Sequence, residues 1–379
     1  DTADVTTTGT ESGDADGAQQ TIITVPTLTS PTATSIGQTA ATLGATVTAN
    51  GGAALSSRGT VYNTTGSPVT QNGAAEGGTA VEAFSHERSS LSQGTRYYYR
   101  GYAVNTVGTA YSPQGSFYTE PGQASNVQFA NVTATGMRIS WTAGADSDGA
   151  IVVVRASSAV VNDPTDGTEH SASTTFMSGA NLGNSSYVVY RSTGTQVDVT
   201  GLSAGTTYHV AVYAYKGSGA DSGADLGINY RQTSPATGNK PTLAAEPTSN
   251  STSLSFSNVG AYSMDLSWTS GNGASRTVVV RQGLAVSYTP ADGTAPSGVS
   301  ATFSGAADQG DGNRICYSGT GNSFTLSGLD PETTYHVKIF EYNGSSTEVN
   351  YYLGGTVLTG SQATTAAACV PAQVALIQQ

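Results

Sequence analysis

The sequence is poor in charged residues and in cysteine, and each shortage argues against a class of protein. Only 11% of its 379 residues are charged, and 26 acidic against 14 basic residues give a net charge of −12. This balance disfavours binding to nucleic acids and to anionic membrane surfaces, because both require basic patches. The apolar runs are all shorter than the roughly 18 residues of a membrane-spanning helix, so we predict no membrane span. Two cysteines are too few for a disulfide-rich scaffold.

Motifs of common catalytic sites are also missing. None of the four histidines lies in an H-E-x-x-H pattern, and neither a G-x-S-x-G pattern nor a phosphate-binding P-loop occurs. We therefore predict a protein that is not an enzyme and that requires no cofactor.

The sequence does contain one motif in three copies. Each copy has a leucine, a tight polar turn and a tyrosine that opens a strand of alternating side chains. The tyrosines are Tyr97, Tyr208 and Tyr335, spaced by 111 and 127 residues. The pattern is typical of a tyrosine corner in a β-sandwich, where the phenol lies under a turn and its hydroxyl bonds to backbone a few residues upstream. The copies are residues 90–102, 201–213 and 328–340.

These motifs resemble fibronectin type III domains, in the form found in tandem in secreted bacterial cell-surface proteins of the Bacteroidota type. The resemblance implies an all-β protein of three tandem type III-like (immunoglobulin-like) β-sandwiches in an extended rod, with terminal extension segments. The length agrees, because 379 residues suit three domains of about 100–125 residues. No window has sustained helical periodicity, so we expect almost no helix.

Linkers that contain Pro121 and Pro247 mark the predicted domain boundaries. The predicted parts are an acidic low-complexity N-terminal segment (1–20), domain 1 (21–120), domain 2 (121–244), domain 3 (245–369) and a C-terminal orphan strand (370–379).

Two tryptophans occupy equivalent positions in domains 2 and 3. Trp141 and Trp268 are 127 residues apart, and each ends an alternating strand. Because Met137 and Ile139 share a face with Trp141, we predict both indoles in the core rather than on a ligand platform. Domain 1 has no tryptophan and carries Leu43 nearby instead, as in a shorter subtype.

Apolar runs at 151–155 and 277–281 are typical of central strands, and a long turn-rich insert follows each. On the strand that the corner tyrosine opens, alternation turns His209 and Tyr213, or His336 and Phe340, to the outer face. We predict a half-exposed stripe there, for which surface packing and a binding face are both open.

Acidic residues in glycine-rich loops are the candidates for a metal site. Ca²⁺ takes six to eight oxygen ligands, whereas each cluster here offers two carboxylates plus carbonyls and none has a complete EF-hand spacing. Acidic turns are equally expected in an acidic protein, so calcium is a weak prediction and no other metal is predicted. The candidates are Asp146 with Asp148, Asp308 with Asp311, and Asp221 with Asp225.

The two cysteines fall in one domain. Cys316 lies on a predicted strand and Cys369 lies in the segment that leaves domain 3. In a secreted chain an even pair favours a disulfide, which would tie this segment to the sandwich. A reduced, buried Cys316 with a free Cys369 is the alternative.

Apolar residues at both termini lack a sandwich of their own. An unburied apolar strand can add to a sheet edge, so we predict that one terminal segment, preferably the C-terminal one, is an assembly strand. The alternatives are a strand that folds back on domain 3 and a chain cut before a fourth domain. The residues concerned are Ile22, Ile23 and Val25 at one end and Val374, Leu376 and Ile377 at the other.

Together these features predict a non-enzymatic extracellular structural protein. We expect a subunit of a surface filament or appendage, or an adhesin stalk, that assembles head-to-tail with copies of itself and contacts surface glycans or neighbouring cells. The chain starts at Asp1 without a signal sequence, so we expect a secreted or cell-surface product whose signal peptide has been removed. The alternative is a spacer or carbohydrate-binding accessory region of a secreted glycan-degrading enzyme, since the fold by itself does not decide function.

Overall fold

The computed structural model describes residues 22–72 and 78–368, and these residues form strands joined by loops. Their helical structure is confined to three short 3-10 turns, at Thr70–Asn72, Phe303–Gly305 and Ser346–Glu348. The predicted class, all-β with tandem type III-like sandwiches, is confirmed. Within the described part of the chain, no helix is long and apolar enough to cross a membrane.

The chain divides into two compact units. The first is built on residues up to 120 together with 217–229, and the second on 121–216 together with 230 onwards.

The first sandwich has two four-stranded sheets. Its strands are β1 (Thr27–Leu28), β2 (Thr32–Thr34), β3 (Ala41–Ala49), β4 (Ser57–Asn63), β5 (Ala83–Arg88), β6 (Arg96–Val104), β7 (Thr109–Tyr111) and β8 (Gly115–Tyr118). In one sheet β3 pairs with β1, β2 and β5, and in the other β6 pairs with β4, β7 and β8.

The second sandwich places a three-stranded sheet, β13-β10-β9, beside a larger sheet, β12-β11-β14-β15, in which β16 also pairs with β14. Its strands are β9 (Ser125–Ala130), β10 (Gly136–Thr142), β11 (Gly149–Ala156), β12 (Tyr187–Ser192), β13 (Gln196–Thr200), β14 (Thr207–Lys216), β15 (Asn229–Tyr230) and β16 (Ala236–Pro241).

The third sandwich repeats this topology, with β17-β18-β21 beside β20-β19-β22-β23 and with β24 on β22. Its strands are β17 (Thr252–Ser257), β18 (Ser263–Thr269), β19 (Ser275–Gln282), β20 (Asn313–Gly319), β21 (Ser323–Ser327), β22 (Thr334–Asn343), β23 (Asn350–Tyr351) and β24 (Leu358–Ala363).

Each core lies between two sheets, where their apolar faces meet. In the second sandwich Trp141 is buried and packs edge-on against Tyr190, with ring centroids 5.2 Å apart. Trp268 packs in the same way against Tyr317 in the third sandwich, at 5.6 Å. The first sandwich has Leu43 fully buried in its core.

An additional layer covers the outer face of the larger sheet in the second and third sandwiches, so the predicted half-exposed stripe is wrong in part. Tyr213 and Phe340 do point outwards, yet both are buried. The Tyr213 hydroxyl donates to Asp163 of the insert at 2.8 Å. Burial, reinforced by this bond, raises the pKa of Tyr213 well above its usual value. Alternation identifies the face of a strand but not the segment that covers it. His209 and His336, on the same face, are half-buried.

Candidate interaction surfaces at the sandwich ends

Each corner tyrosine is buried under the turn that precedes its strand, and its hydroxyl oxygen accepts a backbone N–H from five residues upstream. A buried phenol needs such a partner. The distances are 2.9 Å for Ser92–Tyr97, 2.8 Å for Ser203–Tyr208 and 2.9 Å for Asp330–Tyr335.

A buried threonine closes the same turn just after the last strand of each sandwich. In the third sandwich the Thr364 hydroxyl donates to the carbonyl of Asp330 at 2.7 Å and accepts the N–H of Thr333 at 2.9 Å. Thr119 and Thr242 form the same bonds in the other two sandwiches. We call Thr119, Thr242 and Thr364 the closing threonines; they fix the chain where it leaves each sandwich.

The residue after each closing threonine makes two backbone hydrogen bonds, one through its N–H and one through its carbonyl. The N–H of Leu243 donates to the carbonyl of Thr133 at 3.1 Å, and its carbonyl accepts the N–H of Gly205 at 2.8 Å. Glu120 and Thr365 form equivalent pairs of bonds in their own sandwiches. The closing threonine and the residue after it define what we call the trailing end of a sandwich.

In the second unit the linker runs directly from this trailing end onto the third sandwich. Ala244 donates its N–H to the carbonyl of Glu348 at 2.7 Å, and Asn343 donates from Nδ2 to the carbonyl of Ala245 at 2.7 Å. Leu243, between the two sandwiches, is only 6% exposed. We call the surface that receives the incoming chain the leading end of a sandwich.

The leading end of the first sandwich also binds its incoming chain through an asparagine, Asn105. Asn105 lies eight residues after Tyr97, just as Asn343 lies eight residues after Tyr335. Its Nδ2 donates to the carbonyl of Thr24 at 2.6 Å. Sequence reasoning missed this asparagine, although its equal distance from the corner tyrosine in the first and third copies is a readable signal; the second copy has Lys216 at this position.

The predicted assembly residues fall partly on this leading end. Ile22, Ile23 and Val25 belong to no strand and are exposed. Val374, Leu376 and Ile377 lie outside the described residues.

A buried tyrosine holds the insert over the outer face of the sheet in the second and third sandwiches. Tyr351 donates its N–H to Asp292 at 2.8 Å and its hydroxyl to the carbonyl of Thr294 at 3.2 Å. Tyr230 makes the same two bonds with the insert of the second sandwich, to Asp166 and Thr168. Burial raises the pKa of Tyr230 to about 12. These bonds tie each long, turn-rich insert to its sandwich.

In the first unit, the loop of residues 217–229 binds the edge of β8. Ser116 donates its N–H to the carbonyl of Ala224 at 3.1 Å, and Leu226 donates to the carbonyl of Ser116 at 2.7 Å. Tyr99 donates its hydroxyl to the same Ala224 carbonyl at 3.1 Å. Burial, with the nearby Asp225 and Asp221, raises the pKa of Tyr99 to about 12. A strand edge is thus occupied by a segment that is distant in sequence.

The remaining histidines of the stripe border two shallow grooves. Grooves of about 290 and 260 Å³ lie beside His336 and His209, in equivalent positions on the third and second sandwiches. Their other walls are short aliphatic and polar residues, including Val286 and Val160. Neither groove is lined by a carboxylate side chain.

Four of the candidate calcium ligands accept hydrogen bonds from, or pair with, groups of the protein itself: Asp148, Asp221, Asp225 and Asp308. Asp308 accepts the N–H groups of Gly310 and Gly312, at 2.9 and 3.1 Å. Asp148 pairs with the Lys216 ammonium at 2.8 Å. Among residues 22–72 and 78–368, no group of three or more His, Cys, Asp or Glu side chains could hold a metal ion. A calcium site remains a prediction only.

Cys316 lies buried in the core of the third sandwich. Burial raises the pKa of its thiol to about 12. Cys369 lies outside the described residues, so the Cys316–Cys369 disulfide remains a prediction.

Comparison with known proteins gives two family matches. Residues 246–350 match the fibronectin type III domain, and residues 123–226 match the purple acid phosphatase N-terminal domain, a non-catalytic domain. No curated protein matches the chain.

Similar solved structures include the FN1–FN3 domains of chicken CNTN1, at 16% identity and a TM-score of 0.32, covering 90% of this chain and 100% of that one. A two-domain fibronectin type III segment from chicken tenascin has 17% identity and a TM-score of 0.27, covering 64% of this chain and 99% of that one. By the family match at residues 246–350, the third sandwich is similar to the fibronectin type III domain, and the chain is an all-β protein of tandem type III-like sandwiches.

Proposed function

We propose that this protein is a non-enzymatic extracellular structural protein, a subunit of a surface filament or an adhesin stalk that assembles head-to-tail with copies of itself. Assembly uses a terminal segment that adds as a strand to a sandwich of the next copy. Surface glycans or a neighbouring cell are the partners of the finished polymer. Type III-like domains are typically non-catalytic and suit a structural or spacer role, which supports this proposal.

The exposed apolar run at the leading end of the first sandwich is the observation that carries the proposal. Ile22 is 82% exposed, and Ile23 and Val25 are exposed as well, although nothing in a soluble monomer requires large apolar side chains there. Burying one such side chain stabilises an interface by about 1.5–3 kcal/mol. A neighbouring copy would supply this burial.

The occupied edge of β8 supports strand addition as the mode of assembly. Ser116 and Asp225 form a parallel bridge, so the edge of this sandwich already accepts a segment from elsewhere in the chain. Main-chain bonds of this kind tolerate many sequences, which is why free edges attract additional strands.

Deletion of residues 370–379 tests the proposal. We expect the full chain to form polymers in sedimentation experiments and the shortened chain to remain a monomer. Deletion of residues 1–20, which removes an acidic segment of low apolar content, is the matched control and should leave polymer formation unchanged. Polymers that form equally well without residues 370–379 would remove the C-terminal strand from the account.

A second function, an accessory region of a secreted glycan-degrading enzyme, is favoured by one specific observation. Residues 123–226 match an N-terminal domain that is non-catalytic in the purple acid phosphatase family. The grooves beside His209 and His336 would then contact a polysaccharide. Retention of the purified chain on insoluble polysaccharides, lost in a double His209→Ala, His336→Ala variant, would support this function over the first.

A further inference from the structure

We infer that the leading end of the first sandwich docks onto the trailing end of the third sandwich of a second copy of this chain. The contact imitates the junction by which the second and third sandwiches are joined within one chain. This inference rests on the proposed self-assembly and identifies a surface for it that is separate from the terminal strand.

The segment that enters the first sandwich is built like an internal linker. Residues 21–27 read T-I-I-T-V-P-T, and the linker at 242–248 reads T-L-A-A-E-P-T. When Thr24 is aligned with Ala245, both threonines and the proline coincide. The structure supports the same alignment, because Asn105 binds the carbonyl of Thr24 and Asn343 binds the carbonyl of Ala245. Ile22 then corresponds to Leu243.

The trailing end of the third sandwich supplies the other half of such a junction. Thr364 and Thr365 make the backbone and hydroxyl contacts that Thr242 and Leu243 make in the second sandwich. The residues that follow, 366–368, are alanines and are exposed. The leading end of the first sandwich and the trailing end of the third sandwich therefore correspond to the two sides of the internal linker.

Both surfaces are more apolar than their internal counterparts. At the leading end Ile22 is 82% exposed, whereas Leu243 is 6% exposed at the internal junction. Val25 stands where the internal linker has Glu246. At the trailing end the carbonyl of Tyr262 accepts the N–H of Leu329, and the Tyr262 side chain is 60% exposed where the second sandwich has Thr135.

This difference points to a contact between separate chains. A covalent linker holds the internal junction together, so that junction needs little apolar area. Association of two chains costs free energy, because translational and rotational freedom is lost. The burial of apolar area usually offsets this cost. Because one chain carries both halves at different places, the contact is heterologous and repeats from copy to copy, and an open polymer forms where the rotation between copies does not close a ring.

Two variants with single defects test the inference in the full chain. Ile22→Asp disables the leading half and Tyr262→Asp disables the trailing half. Each variant alone should need at least about tenfold higher concentration than the unaltered chain to form polymers. The reason is that leaving one large apolar side chain unburied lowers the association constant by more than about tenfold. Val161→Asp is the matched control, since Val161 is 61% exposed in the second sandwich, which carries neither of the two surfaces, and the added charge is the same. The control should polymerise like the unaltered chain.

An equimolar mixture of the two variants provides the decisive result. The intact trailing end of the Ile22→Asp chain can bind the intact leading end of the Tyr262→Asp chain, and both remaining ends are then disabled. Sedimentation should therefore show a species of two chains in the mixture and none in either variant alone. If both variants polymerise like the unaltered chain, or if the mixture contains only single chains, the inference is overturned while the proposed function stands. If the unaltered chain stays monomeric at every concentration, both fail together.

Discussion

At the scale of single residues, the third sandwich contains a buried ion pair for which the second sandwich offers a natural control. Arg276 and Glu341 are opposite each other on β19 and β22, 3.3 Å apart, and both are buried. Ala150 and Ala214 face each other at the equivalent position on β11 and β14.

Glu341→Ala is expected to lower the free energy of unfolding of the third sandwich by about 3–5 kcal/mol, because it leaves the Arg276 charge buried without its partner. The double variant Arg276→Ala, Glu341→Ala, which copies the second sandwich, should recover part of this loss. Urea unfolding followed by tryptophan fluorescence measures both. A double variant that is less stable than Glu341→Ala would contradict this view of the pair.

The Cys316 thiol provides a second prediction at this scale. Because burial raises its pKa to about 12, almost no thiolate forms near pH 8, and Cys316 should not react with a thiol reagent in the native protein. Labelling followed by mass spectrometry should find one modified cysteine if Cys369 is free and none if the two are bonded. Rapid native modification of Cys316 would contradict the burial.

At the scale of elements, the closing threonines join the last strand of each sandwich to the tyrosine corner. Thr364→Val removes the hydroxyl but keeps the shape, leaving the N–H of Thr333 and the carbonyl of Asp330 without this partner. The expected loss of stability is about 1–3 kcal/mol. Thr365→Val, at the exposed neighbouring position, is the control and should change stability by less than about 0.5 kcal/mol. Equal melting temperatures for the two variants would show that the closing bond contributes nothing.

The sequence predicts the elements that depend on local pattern. The turn and the alternating strand around Tyr335 lie within about a dozen residues, so the tyrosine corner and its sandwich could be recognised from one copy and checked against the others. Thr364 could not be recognised in this way, because its partners lie some thirty residues upstream and only the folded sandwich brings them together. The same holds for Phe340, whose outward direction was predictable and whose cover was not.

At the scale of the whole molecule, alkaline pH should destabilise the protein through its buried phenols and thiol. The pKa values of Tyr99 and Tyr230 are raised to about 12 in the folded chain, against about 10 when unfolded. Their contribution is complete below about pH 10 and is lost as the pH rises towards 12, because the unfolded chain releases these protons first.

The melting temperature should therefore fall between about pH 10 and 12, and part of the tyrosinate absorbance should appear only on unfolding. Tyr230→Phe should make this fall shallower, although it removes the bond to Thr168. Tyr262→Phe, at an exposed position, should leave the slope unchanged. A melting temperature that stays constant through this range would exclude a role for the buried phenols.

The central claim is that copies of this chain assemble head-to-tail, and electron microscopy of purified chain 1–379 over a range of concentrations tests it most directly. The account predicts unbranched polymers that lengthen as the concentration rises and whose repeating unit is one chain of tandem sandwiches. Single-chain particles at every concentration would contradict it.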